Sequence, residues 1–211
     1  MAPFGEIVQH FQRKFREEAT LTTPGAARSV NAGRQGRTIG LQSTAADLIM
    51  ESQEACKTMT SEAPSSCVFC RILGGELTPG VVAFRDNQTA VFPSRGQQPR
   101  NRGHMLVVPV RHVAQIYDVD CDLAGPLMTT LARVSAAVKN VCSADGVSIR
   151  QNNGKHGGQD VFHVHFHVVP RFAGDGFIGL DRALGMVDVS IEERIEQARK
   201  LSDELRLLSS T

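Results

Sequence analysis

The alternation of apolar and polar positions predicts strands and helices from about residue 81 onward. Strands are predicted over residues 81–85, 89–92, 104–109 and 147–151, with a hairpin turn at Asp86-Asn87-Gln88 between the first two. Apolar residues at three- and four-residue intervals predict one long amphipathic helix over residues 122–141. A last helix is predicted over residues 190–208, with Ser190 as its N-cap and acidic residues in its first turn.

Residues 1–62 show a different pattern. A short amphipathic helix is predicted near Pro3, and a second helix over residues 45–59. Residues 25–42 mix Gly, Ala, Ser and Arg without a period, as flexible linkers do. We therefore expect an N-terminal extension over residues 1–62, a main domain over 63–180 and a C-terminal helical segment over 181–211.

Three histidines alternate with apolar residues. His163, His165 and His167 are separated by Val164 and Phe166, which is the period of a β-strand, so the three imidazoles should project from one face. A single histidine is more often satisfied by ordinary hydrogen bonds, and three could also form a structural metal strip. Three in register favour a functional site.

A glycine-rich loop leads into this strand. Gly154, Gly157 and Gly158 precede Gln159, and such a loop can turn tightly and offer N–H groups to an anion. Alone it would indicate only a turn. Next to the histidines it predicts a phosphate site.

Cys67 and Cys70 form a Cys-x-x-Cys pair, which is typical of a redox motif, a zinc site or two buried thiols. A redox role is disfavoured because no thioredoxin-like βαβ pattern follows. A zinc site would need two further ligands of another type, for which His112 and His163 are the candidates.

The segment His-Val-His-Phe-His-Val-Val at 163–169, preceded by Gly158-Gln159 and followed by Pro170-Arg171, resembles the signature of the histidine triad (HIT) superfamily of nucleotide hydrolases and transferases. The resemblance covers roughly residues 67–177. It implies an α+β, HIT-like fold with a mostly antiparallel sheet, one main packed helix and terminal helices. It also implies a nucleotide substrate and a homodimer.

The resemblance extends to the metal. Members that open with the same Cys-x-Phe-Cys-x-Ile pattern hold zinc with both cysteines, the histidine of a Val-Pro-x-x-His segment and the first triad histidine. This implies one Zn²⁺ at Cys67, Cys70, His112 and His163. A Cys₂His₂ set closes the tetrahedral shell, so the zinc is expected to be structural.

Roles for the remaining site residues follow from the same resemblance. With His163 committed to zinc, His165 matches the nucleophile of the family, and His167 and His104 match further active-site histidines. The positions expected to contact substrate are Asn152, Gly158, Gln159, Phe92 and Ser94.

Two positions depart from the family pattern. Asp160 stands where many members have Ser or Thr, which changes hydrogen bonding near the leaving group. Ser94 stands where members usually place a ribose-binding Asp, and it offers only a hydroxyl. Contact with a base would fall to aliphatic residues or to Phe69, Phe84 and Phe92.

A neutral imidazole is a good nucleophile toward phosphorus, and covalent catalysis divides one difficult displacement into two easier ones. With this chemistry, the resemblance to the HIT superfamily implies an enzyme that cleaves a nucleoside phosphoramidate, a mixed anhydride or a dinucleoside polyphosphate through a nucleotidyl-histidine intermediate. The alternative is a non-catalytic, zinc-stabilised nucleotide-binding or scaffold module.

Composition adds limits on partners and location. With 211 residues, 41% hydrophobic content and a net charge of +1, the chain has no strong field toward nucleic acid or acidic membranes, and it has no long apolar run. Its 5 scattered cysteines favour a reducing compartment, so the cytoplasm is expected, with mitochondrial targeting through residues 1–62 as the alternative. We further expect that the apolar stripe of the helix over 122–141 is not fully covered by one small sheet, which favours the homodimer.

Overall fold

The structure is a computed structural model that describes residues 66–176 and 185–209. Its helices are α1 (Val68–Leu73), α2 (Cys121–Val141) and α3 (Ile191–Leu207). Its strands are β1 (Phe84–Arg85), β2 (Thr89–Pro93), β3 (Gly96–Gln97), β4 (Met105–Pro109), β5 (Gly146–Gln151), β6 (Phe166–Arg171) and β7 (Val187–Asp188). The two helices predicted within residues 1–62 lie outside the described residues.

Five strands form one antiparallel sheet in the order β1-β2-β4-β6-β5, and β3 pairs with β7 in a separate ribbon. The predicted α+β fold with a mostly antiparallel sheet is confirmed. The first predicted strand is shorter than expected, because only Phe84–Arg85 joins the sheet.

Side chains alternate between the two faces of this sheet. One face, which includes Val91 and Val107, packs against α2 and α3. The other, which includes Phe92 and Leu106, packs against α1. Because His167 lies opposite Leu106 in the β4–β6 register, its imidazole is on the face of α1.

The predicted strand through the three histidines is only partly confirmed. β6 begins at Phe166, and the residues before it bond outside the sheet ladder. The His163 N–H donates to the Val161 carbonyl at 2.8 Å, and the Val164 N–H donates to the Val113 carbonyl at 2.7 Å. This bend carries His163 away from the ladder and toward the start of α1.

Hydrogen bonds to two side chains hold the first turns of helix α2 in place. The Asp120 side chain caps it by accepting a hydrogen bond from the Leu123 N–H at 3.0 Å. Pro126 has no N–H for the carbonyl of Asp122, and Gln88 Nε2 donates to that carbonyl instead, at 3.1 Å. The hairpin turn between β1 and β2 therefore holds the start of the helix.

Helix α3 confirms the predicted C-terminal helix, with Ser190 accepting a hydrogen bond from the Glu193 N–H. Its residues Ala198, Leu201 and Leu205 are buried in the same core as α2. The expectation that the stripe of α2 stays partly uncovered is wrong, because α3 packs beside the helix and the stripe is buried within one chain. In the part of the chain that the structure describes, no helix has the length and apolar character needed to cross a bilayer.

Candidate active site and metal centre

Four potential metal ligands meet where α1 approaches the start of β6. Cys67 and Cys70 come from the first turn of α1, His112 follows β4 and His163 precedes β6. Their ligand atoms all lie within 4.8 Å of one another. Cys67 Sγ is 3.5 Å from His163 Nδ1, and Cys70 Sγ is 3.4 Å from His112 Nδ1 and 3.5 Å from His163 Nδ1. The structure thus brings together all four predicted ligands.

These separations fit a tetrahedral metal ion. With Zn–S bonds of about 2.3 Å and Zn–N bonds of about 2.0 Å, tetrahedral angles place sulfur and nitrogen about 3.5 Å apart. The three distances between cysteine sulfur and histidine nitrogen at this cluster match that value. The side chains therefore need little movement to hold an ion.

The protonation of the ligands also fits a metal. His163 Nε2 is 2.9 Å from the Pro109 carbonyl oxygen and donates to it, so the lone pair of Nδ1 faces the thiols. Burial lowers the pKa of His163 to about 4, which keeps the ring neutral. Burial, with the neighbouring Cys67, raises the pKa of Cys70 to about 12, so two thiolates here require a cation beside them. Two thiolates and two imidazoles suit zinc.

His165 uses the opposite ring nitrogen. Its Nδ1 lies 2.7 Å from the carbonyl oxygen of His163 and donates to it. Because a neutral imidazole carries one proton, the lone pair is on Nε2. The ring is buried, and it meets Phe69 edge to face with 5.2 Å between centroids. The backbone thus selects the tautomer that presents Nε2 as a nucleophile or base.

His167 and His104 form a buried pair beside His165. His104 Nε2 lies 2.9 Å from His167 Nδ1, and the rings of His165 and His167 are 4.9 Å apart. Burial lowers the pKa of His104 to about 4, although a backbone hydrogen bond to Gly96 acts in the other direction. His104 is therefore neutral at pH 7, and a single N–H group makes its hydrogen bond to His167.

The glycine-rich loop contains a short 3₁₀ turn, Lys155–Gly157, between two glycines with positive φ, Gly154 at 66° and Gly158 at 81°. Both are conformations that favour glycine. Asn152 is buried and donates from Nδ2 to the Gly158 carbonyl at 3.3 Å. Two predicted substrate contacts, Asn152 and Gly158, therefore lie together at the end of β5.

Gln159 lies beneath this loop. Its Oε1 accepts from the Gly154 N–H at 2.8 Å, and its Nε2 donates to the carbonyls of Ala114 at 2.7 Å and Val161 at 3.1 Å. These bonds join the loop to the segment after His112. The structure shows Gln159 as a support of the loop, and its predicted contact with substrate stays a prediction. Asp160, beside it, is exposed.

An apolar wall lies on the α1 and β2 side of the triad. Phe69 and Phe92 are buried and meet edge to face with 5.4 Å between centroids. Ser94, at the predicted sugar contact, donates its hydroxyl to the Gly96 carbonyl at 3.0 Å. Phe84 lies on the other face of the sheet, in the core of α2, so the expectation that it contacts a base is wrong.

One cationic residue at the site was not predicted. Arg150 on β5 is directly opposite His167 on β6, so both side chains leave the same face of the sheet. Its positive charge also lowers the pKa of His104, although less than burial does. The alternation of the predicted strand over residues 147–151 places Arg150 in phase with Asn152, and this signal could have identified it.

Comparison with known proteins agrees with this site. Residues 77–174 match the family model described as the HIT domain. An uncharacterised HIT-like protein of Methanocaldococcus jannaschii is 37% identical over 52% of this chain and 82% of its own length. The crystal structure of a zinc-bound histidine triad family protein from Mycobacterium smegmatis has 32% identity and a TM-score of 0.56, covering 69% of this chain and 96% of that one.

Two further relatives carry names that state an activity. An adenosine 5′-monophosphoramidase of Candida albicans is 30% identical over 51% of this chain and 71% of its own length. An adenylylsulfatase of Arabidopsis thaliana is 27% identical over 54% of this chain and 57% of its own length. Sequence, fold and site geometry agree: the chain belongs to the histidine triad (HIT) family.

Proposed function

We propose that the protein is a HIT-type nucleotide hydrolase or transferase that passes a nucleotidyl group through His165. The observation that carries the proposal is the hydrogen bond from His165 Nδ1 to the His163 carbonyl, because it leaves the Nε2 lone pair to attack phosphorus. The activities named for two relatives support nucleotide chemistry of this kind. The substrate class comprises nucleoside phosphoramidates, mixed anhydrides and dinucleoside polyphosphates.

The reaction has two displacements. His165 Nε2 forms a bond to the α-phosphorus while the bond from phosphorus to the leaving group breaks, and the electron pair of that bond departs with the leaving group. A sulfate or phosphate leaves as the anion, whereas the nitrogen of a phosphoramidate first takes up a proton from solvent and leaves as ammonia. The ring now bears a positive charge, which the His163 carbonyl stabilises through the Nδ1 proton. Water then attacks the same phosphorus, loses a proton to solvent, and releases the nucleoside monophosphate and neutral His165.

The surroundings suit the two ends of such a substrate. Phe69 and Phe92 would face the nucleoside, because an apolar wall suits a base better than a charged group does. Asn152 and the Gly158 end of the glycine loop would face the phosphate, where amide donors bind oxygen. His167, held by His104, would orient the phosphate beside His165.

We also propose that the four clustered ligands hold one structural zinc ion. The sulfur–nitrogen distances and the donation of His163 Nε2 to Pro109 support this assignment, as does the zinc-bound relative. The ion would neutralise the thiolates and tie α1 to the start of β6. His163 would then be unable to act as the nucleophile.

A homodimer is proposed on a different surface from the one first expected. β5 is an edge of the five-stranded sheet, and its residues are all half-buried or exposed, with Ile149 51% exposed. An edge strand with an exposed apolar residue can pair with its copy about a two-fold axis. Light scattering tests this: a dimer that Ile149→Lys converts to monomer supports it, and a monomeric parent contradicts it. The cytoplasmic location stays a prediction.

A second candidate function is nucleotide binding without turnover. The observation that favours it is Ser94, since the hydroxyl that replaces the expected carboxylate is already donated to Gly96. Weak binding of the ribose would leave the substrate poorly oriented for catalysis.

Release of AMP from adenosine 5′-phosphoramidate and adenosine 5′-phosphosulfate separates the two functions. The proposed enzyme releases AMP from at least one of them, and His165→Asn abolishes the release. His10→Asn, in the predicted N-terminal extension outside the described residues, is the matched control and should remain active. Binding of AMP without turnover of either substrate would support the second candidate instead.

A further inference from the structure

The two sides of the His165–His167 row differ in character. Toward α1 and β2 the neighbours are Phe69 and Phe92, which are apolar and buried. Toward β5 the neighbours are Arg150 and Asn152, whose side chains bear donors. A substrate that lies across the row would therefore meet an apolar wall at one end and a cation at the other.

The register fixes the position of Arg150. It is the β5 residue paired with His167, and paired residues of antiparallel strands have Cβ atoms about 4.5–5.5 Å apart on one face. The side chain is half-buried. The effect of its charge on the pKa of His104, which is bonded to His167, is consistent with a guanidinium in the neighbourhood of this pair.

A guanidinium at this position can contribute to binding at only one end of the substrate. An imidazole that attacks through the lone pair of Nε2 needs no cation, and the nucleoside end of the site is apolar. Guanidinium presents a fork of N–H donors that matches the oxygens of sulfate and phosphate. The guanidinium can therefore contribute to binding of the leaving group, which lies beyond the scissile bond.

We propose that Arg150 binds the leaving group and selects substrates whose leaving group is an anion, such as sulfate or phosphate, over those that release ammonia. This rests on the proposed function of His165. As the P–O bond breaks, its electron pair moves to the leaving oxygen, and the anion departs without taking up a proton. Arg150 stabilises that growing charge. Ammonia departs only after its nitrogen has gained a proton, so a cation gives it no such help.

Adenosine 5′-phosphosulfate and adenosine 5′-phosphoramidate test this, because they share the adenylyl group and differ in the leaving group. For Arg150→Leu, kcat/KM should fall by about 10- to 100-fold with the phosphosulfate, the usual loss for one charge-assisted hydrogen bond. With the phosphoramidate it should change by less than about threefold. Arg150→Lys should recover part of the loss. Arg206→Leu, at an exposed arginine of α3, is the matched control and should match the parent.

Equal losses of kcat/KM with both substrates would overturn the proposal, because they would show that Arg150 has a structural role. The absence of any loss with either substrate would also overturn it. A binding measurement covers the case in which the parent turns over neither substrate and the proposed function fails. In the His165→Asn background, calorimetry should show that Arg150→Leu weakens binding of the phosphosulfate by at least about tenfold. The affinity for the phosphoramidate should not change. Equal affinities before and after the substitution would contradict the role of Arg150.

Discussion

Buried histidines contribute both to the candidate metal cluster of Cys67, Cys70, His112 and His163 and to the neighbouring group of His104, His165 and His167, yet the two groups prepare an imidazole for different tasks. In His163 the Nε2 proton is donated to Pro109, and Nδ1 faces two thiols. In His165, two residues later, the Nδ1 proton is donated to the carbonyl of His163, and Nε2 keeps the lone pair. One backbone carbonyl in each case selects the tautomer, and the tautomer decides whether the ring can hold a metal or attack phosphorus.

The same substitution at both histidines should give opposite results, and this is the largest expected effect. His165→Asn removes the nucleophile, so kcat should fall by at least about 10³-fold while zinc content and melting temperature stay near those of the parent. Turnover and metal content are measured on the same preparation. Near-normal kcat for this variant would mean that another group is the nucleophile.

His163→Asn should instead lose metal and stability. Purified parent protein should contain one zinc per chain, and the variant should contain less than one. Leaving the desolvated thiols without their cation should reduce the free energy of unfolding by about 2 to 5 kcal/mol. Cys67→Ser should act in the same direction. A parent without zinc, with both cysteines open to thiol reagents, would rule out the assignment.

The buried His104, which is hydrogen-bonded to His167, predicts a smaller, pH-dependent effect. Burial lowers its pKa to about 4, below the ordinary value of 6.5, so the unfolded state binds more protons as the pH falls through this window. The contribution of neutral His104 to the free energy of unfolding is fully present above pH 6.5 and is lost as the pH falls toward 4. Between pH 7.5 and pH 5 the loss should be about 2 kcal/mol.

Comparison with His104→Gln isolates this loss, since any release of a bound metal by acid would affect both proteins alike. Chemical unfolding at the two pH values should show a loss of stability that is about 2 kcal/mol smaller in the variant. Identical losses in the two proteins would show that His104 is already charged, or is not buried, in solution.

The smallest effect is expected at the N-terminus. Because the linker-like composition of residues 25–42 implies that the residues before about Ser61 contribute little to the core, a chain that begins at Ala63 should keep the oligomeric state and turnover of the full chain. Light scattering and kinetics on the shortened protein measure this. An inactive product, or one with a changed oligomeric state, would show that the amphipathic helix predicted near Pro3 belongs to the active structure.

Periodicity was sufficient for three elements of the core. The strand ending at Pro109, the long helix α2 and the helix that begins after Ser190 lie where the pattern predicted them, because each contributes apolar residues to the core on one face of the sheet. The pattern could not predict which element packs on α2, because amphipathicity identifies the face of a helix that is buried but not the element that buries it. That is why the uncovered stripe was predicted wrongly.

The geometry of the triad was harder to predict for a similar reason. The alternation of His163, His165 and His167 gives a shared face, but not the partners of the backbone. Val164 bonds to Val113 outside the ladder, and this distant contact bends the chain toward the cysteines. The tautomers depend in turn on carbonyls of Pro109 and His163, which no sequence period encodes.

The most direct test of the assigned roles is to locate the covalent intermediate. Protein mixed with adenosine 5′-phosphosulfate or phosphoramidate is quenched within milliseconds under alkaline conditions that preserve phosphorus–nitrogen bonds, and its peptides are analysed by mass spectrometry. We expect one adenylyl group on His165, with its bond to Nε2 identified by phosphorus–nitrogen coupling in NMR. An adduct on His163 or His167, or AMP released at full rate with no adduct on any histidine, would contradict it.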